Sequence, residues 1–275
     1  MTSLDDTPML AAERPDLVWF RGADTIRFLN DLLSQEIALA SPGSVLRSLL
    51  LEPQGKLDHI LWVLRGEDEV GLITEPGRGE VLMSALGRYR IRVDVAMEAA
   101  AAPAWVVVGD RGPHQGGWGR RGEGVVADIS WPTMKRSFLT GARPDLEEIS
   151  AEQYESLRIE AGEPRFGTDV DEKTIPQQTG LVGVAVAFDK GCFLGQELVA
   201  RIDSRGGNVP QRLMRLEFES DAPEPGATVM ADGREVGNIT STAGSLALAM
   251  IRREVAMGQQ VEVEGRPAVV SGPIR

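Results

Sequence analysis

Phe188 to Arg201 reads FDKGCFLGQELVAR and contains Cys192, the one cysteine in a chain of 275 residues. Leu194, Leu198 and Ile202 recur every fourth residue, which is helical spacing. Gly195 is a permissible N-cap, Glu197 suits a first turn, and Gly206-Gly207 supplies a stop. The spacing predicts a helix that opens just after the cysteine. A helix N-terminus and the nearby ammonium of Lys190 both favour thiolate over thiol, so Cys192 reads as a candidate reactive sulfur. The competing reading is a small core hydrophobe, the usual role of a lone cysteine.

Outside that stretch, 29 Lys and Arg face 41 Asp and Glu, a formal net charge of −12. Such a charge repels phosphate backbones, which argues against a nucleic-acid partner and requires a local basic pocket for any anionic ligand. With 42% hydrophobic content the chain exceeds one ordinary core and divides into two or three subdomains. No window approaches the roughly 18 consecutive apolar residues of a membrane span, so no membrane partner is expected. One cysteine makes no internal disulfide, and no charged region followed by an apolar run precedes Asp16. A soluble protein of the reducing cytoplasm is the expectation.

In chain order, residues 1 to 15 read as a loosely held terminus and Asp16 to Arg21 as a strand. Asp24 caps a helix whose stripe is Ile26, Leu29, Leu32 and Leu33. Val45 to Leu51 and Leu57 to Arg65 are strands around the turn Glu52-Pro53-Gln54-Gly55, and Glu69 to Thr74 is a third. Gly79 to Arg90 has helical spacing, and Ile91, Val93, Val95 and Met97 then alternate as a strand. Gly109 to Gly124 is glycine-rich and reads as a loop. Its Gly117-x-Gly119-x-x-Gly122 is a formal dinucleotide fingerprint, but Val125 to Ile129 is strand-like and no helix opens there, so the nucleotide reading is rejected. Arg111, Arg120 and Arg121 read as a solvated cluster, and His114 has no companions that would make a metal site.

Lys135 to Thr140 is a further strand. Ser150-x-x-Gln153 is a capping box that opens a helix with Tyr154, Leu157 and Ala161 on one stripe. Glu160 lies at the edge of that stripe, near a helix end where the macrodipole disfavours an acid. It reads either as a surface residue or as a fork accepting two N–H donors of a pterin ring. The run Asp169, Asp171 and Glu172 lacks the glycine and terminal glutamate of a calcium loop. After Gly207 six short strands follow, with Asp232-Gly233 and Glu264-Gly265 as tight turns, which predicts a small antiparallel barrel.

Lys190 to Glu197, KGCFLGQE, closely resembles the Lys-Gly-Cys-aromatic-x-Gly-Gln-Glu signature of the YgfZ family of folate-binding proteins, relatives of the glycine-cleavage T-protein. Segments GADTIRFLNDLLSQEI, LLLEPQGKL, RIEAGEPRFGTDVDEKTIPQQTGL and EVGNITS are similar to the family as well. The resemblance implies an α+β fold of two interleaved sheet-and-helix subdomains over residues 1–207, followed by a C-terminal antiparallel β-barrel over residues 208–275. It implies a cleft for tetrahydrofolate or another reduced folate, with the pterin on Glu160 and Cys192 presented nearby as the acting residue. Lys190, Gly191, Gly195, Gln196, Glu197 and Arg201 belong to that expected site, and Lys190, Arg201 or Arg205 would receive the glutamyl tail.

The implied role is that of an accessory factor in iron–sulfur protein assembly or repair, partnered by iron–sulfur carrier or client proteins. A cluster usually takes four soft ligands and the chain has one thiol, so Cys192 is open to three roles: one ligand of a shared cluster, a nucleophile, or a redox sensor. The alternative is a folate-dependent aminomethyltransferase. T-proteins place a carboxylate where this chain has His59, and alternation on a strand turns the adjacent Asp58 to the other face unless a bulge intervenes. His59 itself reads as a structural, hydrogen-bonded histidine rather than a base.

Overall fold

The computed structural model describes residues 7–110 and 112–272, so Arg111 and the outermost residues of both termini lie outside the described residues. The chain begins with β1 (Met9–Leu10), β2 (Asp16–Arg21), α1 (Thr25–Leu32), β3 (Val45–Leu51), β4 (Leu57–Arg65) and β5 (Glu69–Thr74). It continues through α2 (Gly79–Gly87), β6 (Ala96–Ala99), β7 (Ala104–Val108), β8 (Trp118–Arg121), β9 (Gly124–Asp128) and β10 (Arg136–Thr140). Three helices follow, α3 (Ala151–Glu160), α4 (Val182–Ala185) and α5 (Gln196–Asp203). The last strands are β11 (Gln211–Phe218), β12 (Thr228–Ala231), β13 (Arg234–Ala243), β14 (Leu246–Arg252), β15 (Gln260–Val263) and β16 (Arg266–Ser271).

These strands form two five-stranded sheets, ordered β3-β4-β5-β2-β6 and β1-β7-β10-β9-β8, and a closed barrel ordered β11-β14-β13-β12-β15-β16. β1 joins the sheet built mainly from later strands while β2 to β6 form the other, so the first two units interleave along the chain. The first sheet buries one face under α1 and α2 through Val18, Leu29, Leu61, Leu72 and Leu82. Its other face meets the second sheet through Leu17, Trp19, Ile73, Val106 and Phe138. A third core joins Leu49, Leu51 and Ile60 to Ile159 of α3 and to Leu213, Leu248 and Met250 of the barrel. The structure is therefore α+β with sheets dominant.

Local chemistry explains several boundaries. Ser150 accepts from Gln153 N while the Gln153 side chain accepts from Ser150 N, so α3 opens on its capping box. In the barrel, Asp232-Gly233 and Glu264-Gly265 all have positive φ, as two-residue hairpin turns require. The strand expected over Ile91 to Met97 forms only from Ala96 to Ala99, because Arg92 takes φ 56° and Ile91 is 73% exposed, although Val93, Val95 and Met97 keep the core-facing side that the alternation marks. The loop expected over Gly109 to Gly124 contains β8, because Trp118 packs 5.6 Å from Trp19 and donates its indole N–H to the Arg65 carbonyl.

The stretch around Cys192 docks on the Glu52–Gly55 turn by mutual absence of side chains. Gly195 has φ +75°, and a Cβ there would collide with the Glu52 carbonyl oxygen and lie 2.9 Å from Leu51 Cβ. A Cβ on Gly55 would lie 2.6 Å from Leu198 Cβ. Backbone at positive φ costs an L side chain about 1–2 kcal/mol before any clash is counted. Gly195→Ala is accordingly expected to lower unfolding stability by about 2 kcal/mol or more in urea titration. Gly191→Ala, with open space around its Cβ position, should stay within about 0.5 kcal/mol of wild type. Equal costs at both positions would contradict the interlock.

Candidate functional site

Cys192 sits in the short loop before α5, exposed and unpaired, so it is not a core filler. Gly195 is the N-cap of α5, and Gln196 Oε1 accepts from Phe193 N at 3.1 Å to close the turn. The loop is tied to the end of α1. Lys190 Nζ donates to the carbonyls of Asn30, Leu33 and Gln35 at 2.6, 2.8 and 2.8 Å. Ala187 N donates to Ser34 O and Leu194 N to Asp31 O. Carbonyls at a helix C-terminus lack intrahelical donors, and an ammonium placed there satisfies them. Burial pushes the Lys190 ammonium down to about 8.

The motif residues expected at the folate site have these places in the structure. Lys190 spends its three donors on backbone carbonyls, which leaves none for a glutamyl tail. Gly195 and Gln196 shape the turn, and Gly191 is exposed. Glu197 and Arg201 pair with each other at i,i+4 on the solvent face of α5. These residues build and present the loop.

A cleft lies elsewhere. Trp62, Ile73, Ile129 and Tyr154 are among its walls, and Glu13, Glu75 and Glu163 are its carboxylates. At its floor Glu163 is 5% exposed and accepts from Arg47 Nη2 of β3 at 3.0 Å, while Arg136 Nη2 of β10 lies 2.9 Å from both carboxylate oxygens. Burial opposes charge at Glu163, but the guanidiniums of Arg136 and Arg47 outweigh it and hold the carboxyl below its usual range. The balance differs for the two arginines: burial dominates at Arg47 and lowers its pKa, whereas Glu163 and neighbouring groups outweigh burial at Arg136 and raise it. Arg136 is the better-paired partner. The Arg47 guanidinium stacks 4.4 Å from the Trp62 centroid and 5.5 Å from that of Trp131, and its buried Nε has no partner among the described residues.

Neither Glu160 nor Cys192 lines this cleft. Glu160 ends α3 with an exposed side chain, and its carbonyl accepts from Arg215 of β11 at 2.7 Å. The chain then turns at Gly162, φ +68°, which carries Glu163 rather than Glu160 to the cleft floor. A second cavity, of about 190 Å³, lies beside the Cys192 loop, bounded by Leu194, Glu52, Gln54 and Tyr89.

The bulge that would bring Asp58 beside position 59 is present. His59 pairs with Leu50 and Leu57 with Leu51, which leaves Asp58 as the extra residue. Leu57 and Ile60 consequently share one core, a combination that regular alternation forbids. His59 is fully buried, with its Nδ1 3.1 Å from Asp58 Oδ1 and its ring stacked on Phe166 at 6.5 Å.

The fold is similar to that of glycine-cleavage aminomethyltransferase T. The crystal structure of that protein from Bartonella henselae superposes with a TM-score of 0.86 at 17% identity, covering 98% of this chain and 86% of that one. Residues 211–274, the barrel, match the family described as CAF17, C-terminal beta-barrel domain. In sequence the chain is similar to the human mitochondrial iron–sulfur cluster assembly factor IBA57, 28% identical over 273 residues that cover 88% of this chain and 76% of the relative. It is also similar to an aminomethyltransferase from Geobacillus kaustophilus, 26% identical with 90% and 79% covered.

Removing the charge of Glu163 leaves two buried arginines without their counter-ion. Glu163→Gln is expected to cost about 3–5 kcal/mol in denaturant unfolding, the penalty for breaking one side of a buried pair. Glu160→Gln, on the surface, should cost under about 0.5 kcal/mol. A Glu163→Gln protein as stable as wild type would contradict the assigned floor of the cleft.

Proposed function

We propose that the chain is a tetrahydrofolate-binding accessory factor in the assembly or repair of iron–sulfur proteins, as its resemblance to the YgfZ family implies, and that it acts through Cys192. The observation on which this rests is the sole thiol, exposed on a loop anchored to five backbone carbonyls at and just after the end of α1. Similarity to IBA57 over most of both chains supports the same reading. A thiol presented this way supplies one soft ligand, so a cluster enters as cargo shared with a carrier or client protein that contributes the others. Among the described residues no group of three or more His, Cys, Asp and Glu is placed to hold a metal ion. The reading places the protein in the cytoplasm, where a reducing environment keeps the thiol free.

The cleft is the candidate folate site: Trp62 and Tyr154 with Ile60, Ile73 and Ile129 offer apolar walls for a bicyclic ring. Arg165, also on the cleft wall, is paired with Glu13 and Glu155. Bound there, the folate would supply one-carbon carrier chemistry. Aminomethyl transfer is the second reading, favoured by the Geobacillus relative and by the bulge that sets Asp58 beside His59. Turnover of an aminomethylated lipoyl carrier with tetrahydrofolate would establish that reading instead.

Cys192→Ser should abolish maturation of an iron–sulfur enzyme in a reconstituted assay while shifting the melting temperature by less than about 2 °C, because an exposed side chain contributes little to stability. Retained maturation would refute the role of the thiol.

A further inference from the structure

We infer that the surface around Cys192 docks the iron–sulfur protein that receives the cluster, and that the receiving face carries apolar side chains inside a ring of lysine and arginine. The inference rests on the reading of Cys192 above and adds the chemistry of the partner. Leu39, Val184 and Phe188 are large apolar residues exposed by 86%, 48% and 46%. Hydrogen bonds gather them beside the thiol: Gln35 Nε2 donates to the Val184 carbonyl, Ala187 N to Ser34 O and Leu39 N to Glu36 Oε1, each at 3.0 Å. Residues 34–39 and 183–192 thus make one face, in which Ala38, Gly183 and Gly191 are exposed as well. Apolar side chains left together in water beside a functional group mark a contact surface.

Charge selects what covers it. Asp31 and Asp189 are exposed on this face and Glu36 is half-buried. Lys190, the cation that feels Glu36 and Asp31, is half-buried with its three donors on backbone carbonyls, so the outward face is apolar and acidic. A cluster held by thiolates adds negative charge of its own. A second copy of this chain would set acid against acid, and phosphate surfaces are repelled by the net charge of −12. A cationic protein face answers both the acids and the cargo. Ligand exchange brings the receiver to this place. A recipient thiolate forms its bond to the iron as the Cys192 thiolate leaves, the recipient's thiol proton passes to Cys192 or to solvent, and no electron is transferred. The receiving protein must therefore lie against the residues that surround the thiol.

The reconstituted maturation assay tests this when the apo form of its iron–sulfur enzyme is titrated against the full chain, at low and high salt, with melting temperatures recorded alongside. Phe188→Ser should raise the half-saturating concentration of apo-enzyme about tenfold, as truncation of an aromatic anchor does, with the maximal rate retained. Asp189→Lys should raise it about fivefold at low salt and less at high salt. Glu224→Lys, the same charge change on an exposed residue of the barrel, should behave as wild type. Half-saturation unchanged by Phe188→Ser and Asp189→Lys, in a wild type that matures the enzyme, would overturn the docking face and leave the role of Cys192 standing. Wild type that matures nothing would overturn the reading of Cys192 and the inference with it. Tighter saturation by Asp189→Lys would assign an anionic partner, and a wild-type dimer in sedimentation that Phe188→Ser dissolves would assign a second copy; either sinks the inference.

Discussion

The arrangement depends on buried charge at the seam of three units. Arg158 of α3, 2% exposed, pairs with Asp169 at 2.6 Å and donates to the Glu163 carbonyl and to Ser241 of β13. Asp169 accepts in turn from the hydroxyls of Thr240 and Ser241 on the barrel. Five residues after Arg158, Glu163 accepts from β3 and β10, one strand of each sheet. The segment from 158 to 169 therefore touches both sheets and the barrel through groups that tolerate no missing partner, because an unpaired charge in such a place costs several kcal/mol. Apolar contact between the units supplies the bulk of the burial, and these pairs fix the register in which it forms.

The same logic of satisfied backbone governs the cysteine loop. An ammonium over three carbonyls and two glycines packed face to face hold the chain on either side of Cys192, while the cysteine itself is exposed and outside any disulfide. Rigidity of the presenting loop and accessibility of the sulfur follow from one construction. Cleft and thiol are separate features of the surface, and the strand β3 reaches both, lining the cleft at Arg47 and packing at Leu51 against Gly195.

Much of this was legible in the sequence where the signal is local. Period-two alternation and the Asp-Gly and Glu-Gly turns mark the barrel strands, and the capping box at Ser150 marks the start of α3. Legibility failed where a distant residue decides. Strand β8 exists because Trp118 finds Trp19 about a hundred positions away. Glu160 and Glu163 look alike in the string Ile-Glu-Ala-Gly-Glu-Pro, and only Arg47 and Arg136, remote in sequence, select the second for the cleft. Lys190 beside a cysteine suggests a thiolate partner, whereas its reach to the carbonyls of α1 is a tertiary fact. The bulge at Asp58 left a hint in the sequence, since Leu57 and Ile60 are both strongly apolar across an odd spacing.

The central claim, that buried ion pairs couple the three units into one cooperative structure around the cleft, is tested most directly by native-state hydrogen exchange on wild type and Asp169→Asn. In wild type the slowest amides of the barrel strands and of both sheets should open with the same free energy. In Asp169→Asn the barrel amides should lose protection selectively, ahead of the sheets. Barrel amides that already exchange independently in wild type, or that keep full protection in the variant, would contradict the account.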